Sequence, residues 1–120
     1  MKICVTSYGD NLESKTDPRF GRCACFIILD PETFEFEAIA NPAQNSGGAA
    51  GIQSGKLMSD KNVETVLTGN VGPNAYQTLS AAGIKVFTGV DGTVMDAVKK
   101  FKINGYKEAD KASVDSHSGI

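Results

Sequence analysis

The sequence predicts an α/β protein with three layers and a mixed, five-stranded sheet. Short β-branched runs and longer stretches with helical spacing follow each other in the order β β β α β α β α. The later strand–helix–strand units require right-handed parallel crossovers, whereas a short turn joins the second and third strands as an antiparallel hairpin. The chain has 120 residues, which is enough for one domain. We expect that domain to occupy residues 1–105.

The predicted strands differ in how many of their faces are buried. Residues 23–29 are continuously apolar, as expected of a strand that is buried on both faces. Asp30 and Pro31 provide type I turn chemistry. Apolar and acidic residues then alternate, which predicts a half-exposed strand over 34–40 whose buried side includes Phe34, Phe36 and Ala38. The predicted strands cover residues 2–6, 23–29, 34–40, 63–68 and 84–88.

Helices are predicted where apolar residues recur at helical spacing. Pro73 suits the first position of the second helix because its missing N–H costs nothing there, and Gly83 suits that helix's end. Thr93 and Asp96 resemble a capping box at the start of the third helix. Residues 106–120 follow as a polar tail that we expect to be mobile. The predicted helices cover approximately residues 50–61, 73–82 and 94–101.

The composition argues against several classes of function. With 12 basic and 14 acidic residues the net charge is −2, so nucleic acid is not an expected partner. No apolar run reaches the roughly 18–20 residues that a membrane span needs, and no signal-peptide pattern opens the chain. The cysteines are three in number, which predicts reduced thiols rather than a disulfide framework. These observations together predict a cytoplasmic protein.

Five stretches together form a distinctive pattern, namely MKICVTS, RFGRCACFIILD, NPAQNSGGAAGIQ, TGNVGPNAYQTLSAAGIKVF and GTVMDAVKKF. Through them the sequence resembles, over roughly residues 1–105, the dinitrogenase iron–molybdenum cofactor biosynthesis family. The resemblance implies a ribonuclease H-like fold and a carrier or scaffold for an iron–molybdenum or related metal–sulfur cluster. It also implies partners among cofactor-biosynthesis or cluster-recipient proteins. One departure is that Arg19 stands where many members have a histidine that is a favoured cluster-ligand candidate.

The segment around Cys23 and Cys25 is the first candidate site. In a strand, residues i and i+2 point to one face, about 6–7 Å apart. Soft thiolates suit metal–sulfur centres, and Arg19 and Arg22 would lower the pKa of the thiols and offset anionic charge. Cys23, at the start of the strand, is expected to be the more exposed and more reactive thiol. The alternative is that both cysteines pack in the core as small hydrophobes.

Two loops of small residues complete the predicted site. The 69–74 turn lies between a strand and a helix N-terminus, where free N–H groups and the helix dipole favour an anion. The 46–51 loop permits close approach of the backbone to a ligand. Each loop is equally compatible with a purely structural connection. The predicted cluster-binding residues are Arg19, Arg22, Ser46, Gly47, Gly48, Gly69, Asn70, Gly72 and Asn74, with Cys23 and Cys25 as metal ligands.

Enzymatic activity is not expected. A nuclease of ribonuclease H-like fold needs clustered carboxylates to hold divalent metals, and the first strand has none. Cys4 is expected to be a packed core thiol and His117 an exposed tail residue, with metal ligation as the alternative for His117. The 7–21 and 41–51 loops are expected to be the most mobile internal segments because they have few apolar anchors. The alternative function is a regulatory or protein-interaction module of the same fold that binds no cluster.

Overall fold

The computed structural model describes residues 1–44 and 49–114. Its strands and helices follow each other in the predicted order. Its strand order is β3-β2-β1-β4-β5. β2 pairs antiparallel with both β1 and β3, whereas β4 pairs parallel with β1 and β5. The elements are β1 Ile3–Ser7, β2 Cys25–Leu29, β3 Phe36–Ala40, α1 Ala50–Asp60, β4 Thr65–Leu67, α2 Pro73–Ala81, β5 Lys85–Phe87 and α3 Val94–Lys102.

Helices cover both faces of the sheet, so the predicted three layers are present. The first core lies between the sheet and helices α1 and α2, and it contains Cys4, Phe26, Val66, Met58 and Leu79. The second core lies between the sheet and α3, and it contains Val5, Ile27, Leu67, Val94 and Val98. All residues of β1 are buried because this central strand is covered on both sides. No helix in the described residues is long and apolar enough to span a membrane.

Strand β2 begins two residues later than predicted because the chain turns over residues 21–24. The side-chain amide of Asn41 donates hydrogen bonds to the carbonyls of Gly21 (3.0 Å) and Cys23 (2.9 Å). These carbonyls are therefore bound by a side chain and not by a neighbouring strand. The regular pairing with β1 starts only at Cys25.

The predicted buried side of β3 is wrong for Phe36 and Ala38, whereas Phe34 is half-buried against the second core. Phe34 lies before the strand with a φ of 61°, in a turn where its N–H donates to the carbonyl of Asp30 at 2.8 Å. Phe36 and Ala38 are exposed, whereas Ile39 packs against the first core. The reason is that β3 is an edge strand, while α3 packs over the centre of the sheet at β1.

The expectation that the 7–21 loop lacks anchors is also wrong. The first turn of α3 donates two backbone hydrogen bonds to this loop. The N–H of Val94 donates to the carbonyl of Ser14, and the N–H of Met95 donates to the carbonyl of Leu12, both at 2.9 Å. The loop also has apolar anchors, because Phe20 is fully buried in the first core and Leu12 packs against the second. Backbone hydrogen bonds and these two side chains together fix the loop.

The beginning of the C-terminal tail, residues 106–114, is docked on the sheet in this structure, whereas the sequence analysis expects a mobile tail. The N–H of Ala109 donates to the carbonyl of Val86 in β5 at 2.7 Å. The open edge of β5 offers unpaired backbone groups, and the tail binds them. Residues 115–120, with His117, lie outside the described part of the chain.

Helices α1 and α2 pack against each other through glycines one turn apart. A Cβ added at Gly51 would lie 3.0 Å from the Cβ of Ala75. A Cβ added at Gly55 would lie 2.6 Å from the Cγ2 of Thr78. Positions i and i+4 share a helix face, so both contacts belong to one interface. This interface brings the N-terminal ends of the two helices together.

The α1–α2 contact predicts that Gly55→Ala destabilises the protein. Overpacking against Thr78 costs about 1–3 kcal/mol, of which up to about 1 kcal/mol is offset by the better helix propensity of alanine. Urea denaturation should therefore give a lower free energy of unfolding for the variant. The exposed neighbour Lys56→Ala is the control and should change stability by less than about 0.5 kcal/mol. A Gly55→Ala protein as stable as the wild type would contradict this packing.

Candidate functional site

The candidate site begins where the carboxyl ends of β1 and β4 lie side by side, the edge at which ligands gather in α/β sheets. Beyond these strands, the N–H of Asn70 donates to the carbonyl of Pro18 at 2.7 Å, and the N–H of Phe20 donates to the carbonyl of Asn70 at 3.3 Å. A Cβ added at Gly69 would lie 2.6 Å from the Cα of Pro18. Only glycine permits this approach, so the two loops are held in direct backbone contact.

A third segment, the start of α1, closes the same edge. Gly21 has a φ of +24°, and a Cβ added there would lie 3.0 Å from the backbone nitrogen of Gly51. Gly51 in turn packs against Ala75 of α2. Residues 18–24, 49–51 and 69–75 therefore contact one another, and we call this region the three-loop edge.

Two helices begin at the three-loop edge without a side-chain cap from any residue that the structure describes. Neither Ala49, before α1, nor Gly72, before α2, makes a side-chain cap hydrogen bond, and neither helix has an acidic residue in its first turn. The predicted capping box of α3 is confirmed, because the Thr93 hydroxyl accepts from the N–H of Asp96 at 3.1 Å and the Asp96 carboxylate accepts in return at 3.2 Å. The first N–H groups of a helix have no partner within it and concentrate positive potential. The uncapped pair therefore favours a negatively charged ligand.

Arg19 and Arg22 differ in electrostatic surroundings. Arg19 forms a forked ion pair with the buried carboxylate of Asp17, with Nε–Oδ1 and Nη2–Oδ2 distances of 3.0 Å. Hydrogen bonding to Asp17 raises the pKa of the Arg19 guanidinium. Arg22 is half-buried and has no carboxylate within ion-pair distance in the described residues. Arg22 thus carries a positive charge that no carboxylate of the described residues compensates by an ion pair.

A buried hydroxyl pair fixes the loop that bears Arg19. The Thr6 hydroxyl donates to the carbonyl of Asp17 at 2.6 Å and lies 2.8 Å from the hydroxyl oxygen of Thr68. Thr6 is in β1, Thr68 directly follows β4, and both are fully buried. Sequence analysis missed Asp17 as a functional residue. Asp17 lies two residues before Arg19, a spacing at which the carboxylate can accept hydrogen bonds from the arginine side chain. This spacing is the sequence pattern that indicates the ion pair.

The prediction that Cys23 and Cys25 point to one face is wrong. Cys23 belongs to the first core and Cys25 to the second. The i, i+2 rule holds only within a strand, and Cys23 lies in the turn before β2 begins. The predicted order of exposure is also reversed, since Cys23 is 0% exposed and Cys25 is 7% exposed. Cys4 lies in the first core, as predicted.

The thiols are not activated by the neighbouring arginines. Burial raises the pKa of Cys23, and the negative charge of Asp17 raises it further, while the opposing effect of Arg19 is smaller. Burial is also the main cause that raises the pKa of Cys4 and of Cys25. Burial and the nearby anion therefore favour a less reactive Cys23 than the sequence analysis expects.

The remaining predicted site residues divide into two groups. Gly69, Asn70, Gly72 and Asn74 lie at the three-loop edge, together with the turn that bears Arg19 and Arg22. Ser46, Gly47 and Gly48 lie outside the described residues. In residues 1–44 and 49–114, no three His, Cys, Asp or Glu side chains are grouped so that they could hold a metal ion.

Comparisons with known proteins agree with this architecture. Residues 1–104 match the family described as dinitrogenase iron–molybdenum cofactor. An uncharacterized protein of Methanocaldococcus jannaschii is 32% identical over 84% of this chain and 85% of its own length. The apo form of the orange protein from Desulfovibrio gigas is 38% identical, with a TM-score of 0.90 over 94% of this chain and 96% of that one. A Thermotoga protein of the DUF35 family, solved by NMR, is 34% identical, with a TM-score of 0.78 over 89% and 91%.

The burial of the thiols predicts how the native protein reacts with iodoacetamide near pH 8. Cys25 should be alkylated first, because it is the only one of the three with measurable exposure in the described structure. Cys4 and Cys23 should react only after unfolding. Mass spectrometry of the labelled protein checks this, and Cys25→Ala should abolish the first label while Cys23→Ala leaves it. Alkylation of native Cys23 before Cys25 would contradict the buried turn.

The raised thiol pKa values also predict a loss of stability in alkali. The folded protein holds its thiol protons above pH 9.0, the usual pKa, where the unfolded chain releases them. The free energy of unfolding is therefore unaffected by these thiols below pH 9. It falls as pH rises further, by up to about 1.4 kcal/mol per pH unit for each such thiol. Urea denaturation between pH 8 and 10 measures the slope. Cys23→Ala should show a shallower decline than the wild type; equal slopes would contradict the assignment.

Proposed function

We propose, from the premise that this chain belongs to the dinitrogenase iron–molybdenum cofactor family, that it is a non-enzymatic carrier of an anionic metal–sulfur cluster. The cargo would be an iron–molybdenum or related cluster, held at the three-loop edge. The observation that supports this most is that two uncapped helix N-termini meet there beside Arg22. The family relation supplies the class of cargo, and the electrostatics of the edge supply the place.

The chemistry of the edge suits such a cargo. Each helix N-terminus is equivalent to roughly half a positive charge, and backbone N–H groups donate hydrogen bonds to cluster sulfurs. Arg22 adds a full positive charge that no described carboxylate compensates. Arg19 keeps N–H donors beyond those bound to Asp17, because a guanidinium has five. Binding would then depend mainly on hydrogen bonds and charge, without covalent ligation.

In this proposal the cysteines are not the main groups that bind the cluster. Direct ligation by Cys23 requires the 21–24 turn to open, since its sulfur is buried and its carbonyl is bound to Asn41 at 2.9 Å. Ligation of one metal by both Cys23 and Cys25 requires a larger rearrangement, because the two belong to different cores. Thiolate ligation remains the competing form of the carrier hypothesis, and the variants below separate the two.

Several finer assignments belong to the same proposal. The ribonuclease H-like class is supported by a sheet in which β2 alone runs antiparallel to the other strands. A cytoplasmic location is supported by the free thiols of Cys4, Cys23 and Cys25. The partners would be cofactor-biosynthesis or cluster-recipient proteins. A structure of a similar relative is described as an apo form, which supports a bound group in this fold.

One observation favours the alternative of an interaction module that binds no cluster. Arg19 occupies the position where the resemblance leads to a histidine, and its charge is already compensated by Asp17. A module that had lost its cargo would retain such an internal ion pair for stability alone. The alternative predicts that neither arginine affects the uptake of any anion.

Anaerobic reconstitution tests the carrier proposal. The protein is incubated with iron, sulfide and tetrathiomolybdate, and metal and sulfide are measured after gel filtration. Tetrathiomolybdate alone, followed by its visible absorption, gives an affinity. Arg22→Gln should weaken that affinity about tenfold, the effect of one hydrogen bond to a charged group, and Lys56→Gln, an exposed residue of α1, is the control.

The Cys23→Ser, Cys25→Ser double variant distinguishes the two forms of the carrier hypothesis. Anion binding at the edge predicts that this variant retains most of its affinity for tetrathiomolybdate. Loss of uptake in the double variant, with Arg22→Gln unaffected, would instead establish thiolate ligation. Failure of the folded wild-type protein to retain metal or sulfide would overturn the carrier function altogether.

A further inference from the structure

The docked part of the C-terminal tail, residues 106–114, reaches from the edge of β5 to the three-loop edge. We call it the strap. It is fixed at β5 by the hydrogen bond from Ala109 to Val86, and Ala109 packs against the first core. It lies beyond the residues that match the family, which end at 104. Its far end contacts the turn that precedes α2.

Ser113 makes reciprocal hydrogen bonds with Val71. The N–H of Val71 donates to the Ser113 hydroxyl oxygen at 2.8 Å, and the N–H of Ser113 donates to the Val71 carbonyl at 2.9 Å. The side chain of Val71 is fully buried in the first core. The backbone of this loop residue is therefore held by the strap on one side and by the core on the other.

A second contact lies on the other side of the helix start. The Tyr76 hydroxyl donates to the carbonyl of Ala109 at 3.3 Å. Val71 and Tyr76 flank Gly72, the residue that precedes α2, and the strap thus contacts the chain on both sides of the first turn. A loop that contains Gly69 and Gly72 has much conformational freedom in the absence of such contacts. The strap removes that freedom where the N–H groups of α2 begin.

We infer that the strap positions the first turn of α2 for anion binding, with Ser113 as the positioning residue. This inference rests on the proposed function, because it names the element that holds one of the two uncapped helix N-termini in place. Ser113 itself does not contact the anion. Its effect on affinity is indirect, through the geometry of residues 71–76.

The test measures backbone order and affinity separately. Amide hydrogen exchange at Val71 and at residues 74–76 reports the order of the turn. In Ser113→Ala, exchange at Val71 should rise about fivefold, the usual effect of one lost hydrogen bond, and the affinity for tetrathiomolybdate should fall measurably, by up to a similar factor. Ser113→Thr keeps the hydroxyl and should restore both. Lys111→Ala, an exposed strap residue, is the matched control and should change neither.

Two shortened chains locate the effect within the tail. A chain that ends at Val114 retains Ser113 and should behave as the wild type. A chain that ends at Ala112 loses the Ser113 hydroxyl and also the backbone hydrogen bond from Ser113 to Val71, so it should show at least the effects of Ser113→Ala. Unchanged exchange in Ser113→Ala would overturn the inference, and so would faster exchange with unchanged affinity. Equal loss of affinity in both shortened chains would also overturn it, because the determinant would then lie after Val114. If the wild type binds no tetrathiomolybdate, the proposed function fails, and with it the positioning role.

Discussion

The structure depends on backbone contacts that only glycine allows. Gly69 lies against Pro18, Gly21 lies against Gly51, and Gly51 lies against Ala75. These contacts connect the loops after β1 and β4 with the starts of α1 and α2. A Cβ at Gly21 or Gly51 would lie 3.0 Å from its nearest neighbour, and one at Gly69 would lie 2.6 Å from Pro18, so a side chain at any of them would require the packed segments to shift. Close packing of backbone thus sets the geometry of the site.

The distribution of helix caps follows from the same arrangement. The polar loop after β1 supplies the carbonyls of Leu12 and Ser14 to the first turn of α3, which also has its own capping box. The other two helices start at the three-loop edge, where glycine and alanine precede them and no side chain in residues 1–44 or 49–114 caps them. Positive potential is therefore neutralised at one helix start and left available at two. Arg22 lies in the turn that packs against one of these starts, so the charge and the N–H groups are concentrated together.

The fold could be predicted from local patterns, whereas much of the site could not. Apolar periodicity and the Pro73 and Thr93 signals gave the right elements in the right order. The cysteine prediction failed because Asn41, 18 residues from Cys23, holds the preceding turn out of the strand. Periodicity does not describe such a distant side-chain contact. The docking of Ser113 on Val71, 42 residues away, was missed for the same reason.

The most direct test of the account is to map the anion by NMR. Tetrathiomolybdate is titrated into ¹⁵N-labelled protein, and the shifts of the backbone amide signals are followed. If the uncapped helix starts and the arginine turn hold the anion, the largest shifts will come from amides of residues 20–23, 50–52, 72 and 74–76. The amides at the capped start of α3 should barely move. The account would be contradicted if the largest shifts came from other parts of the protein, or if neither uncapped helix start showed a shift.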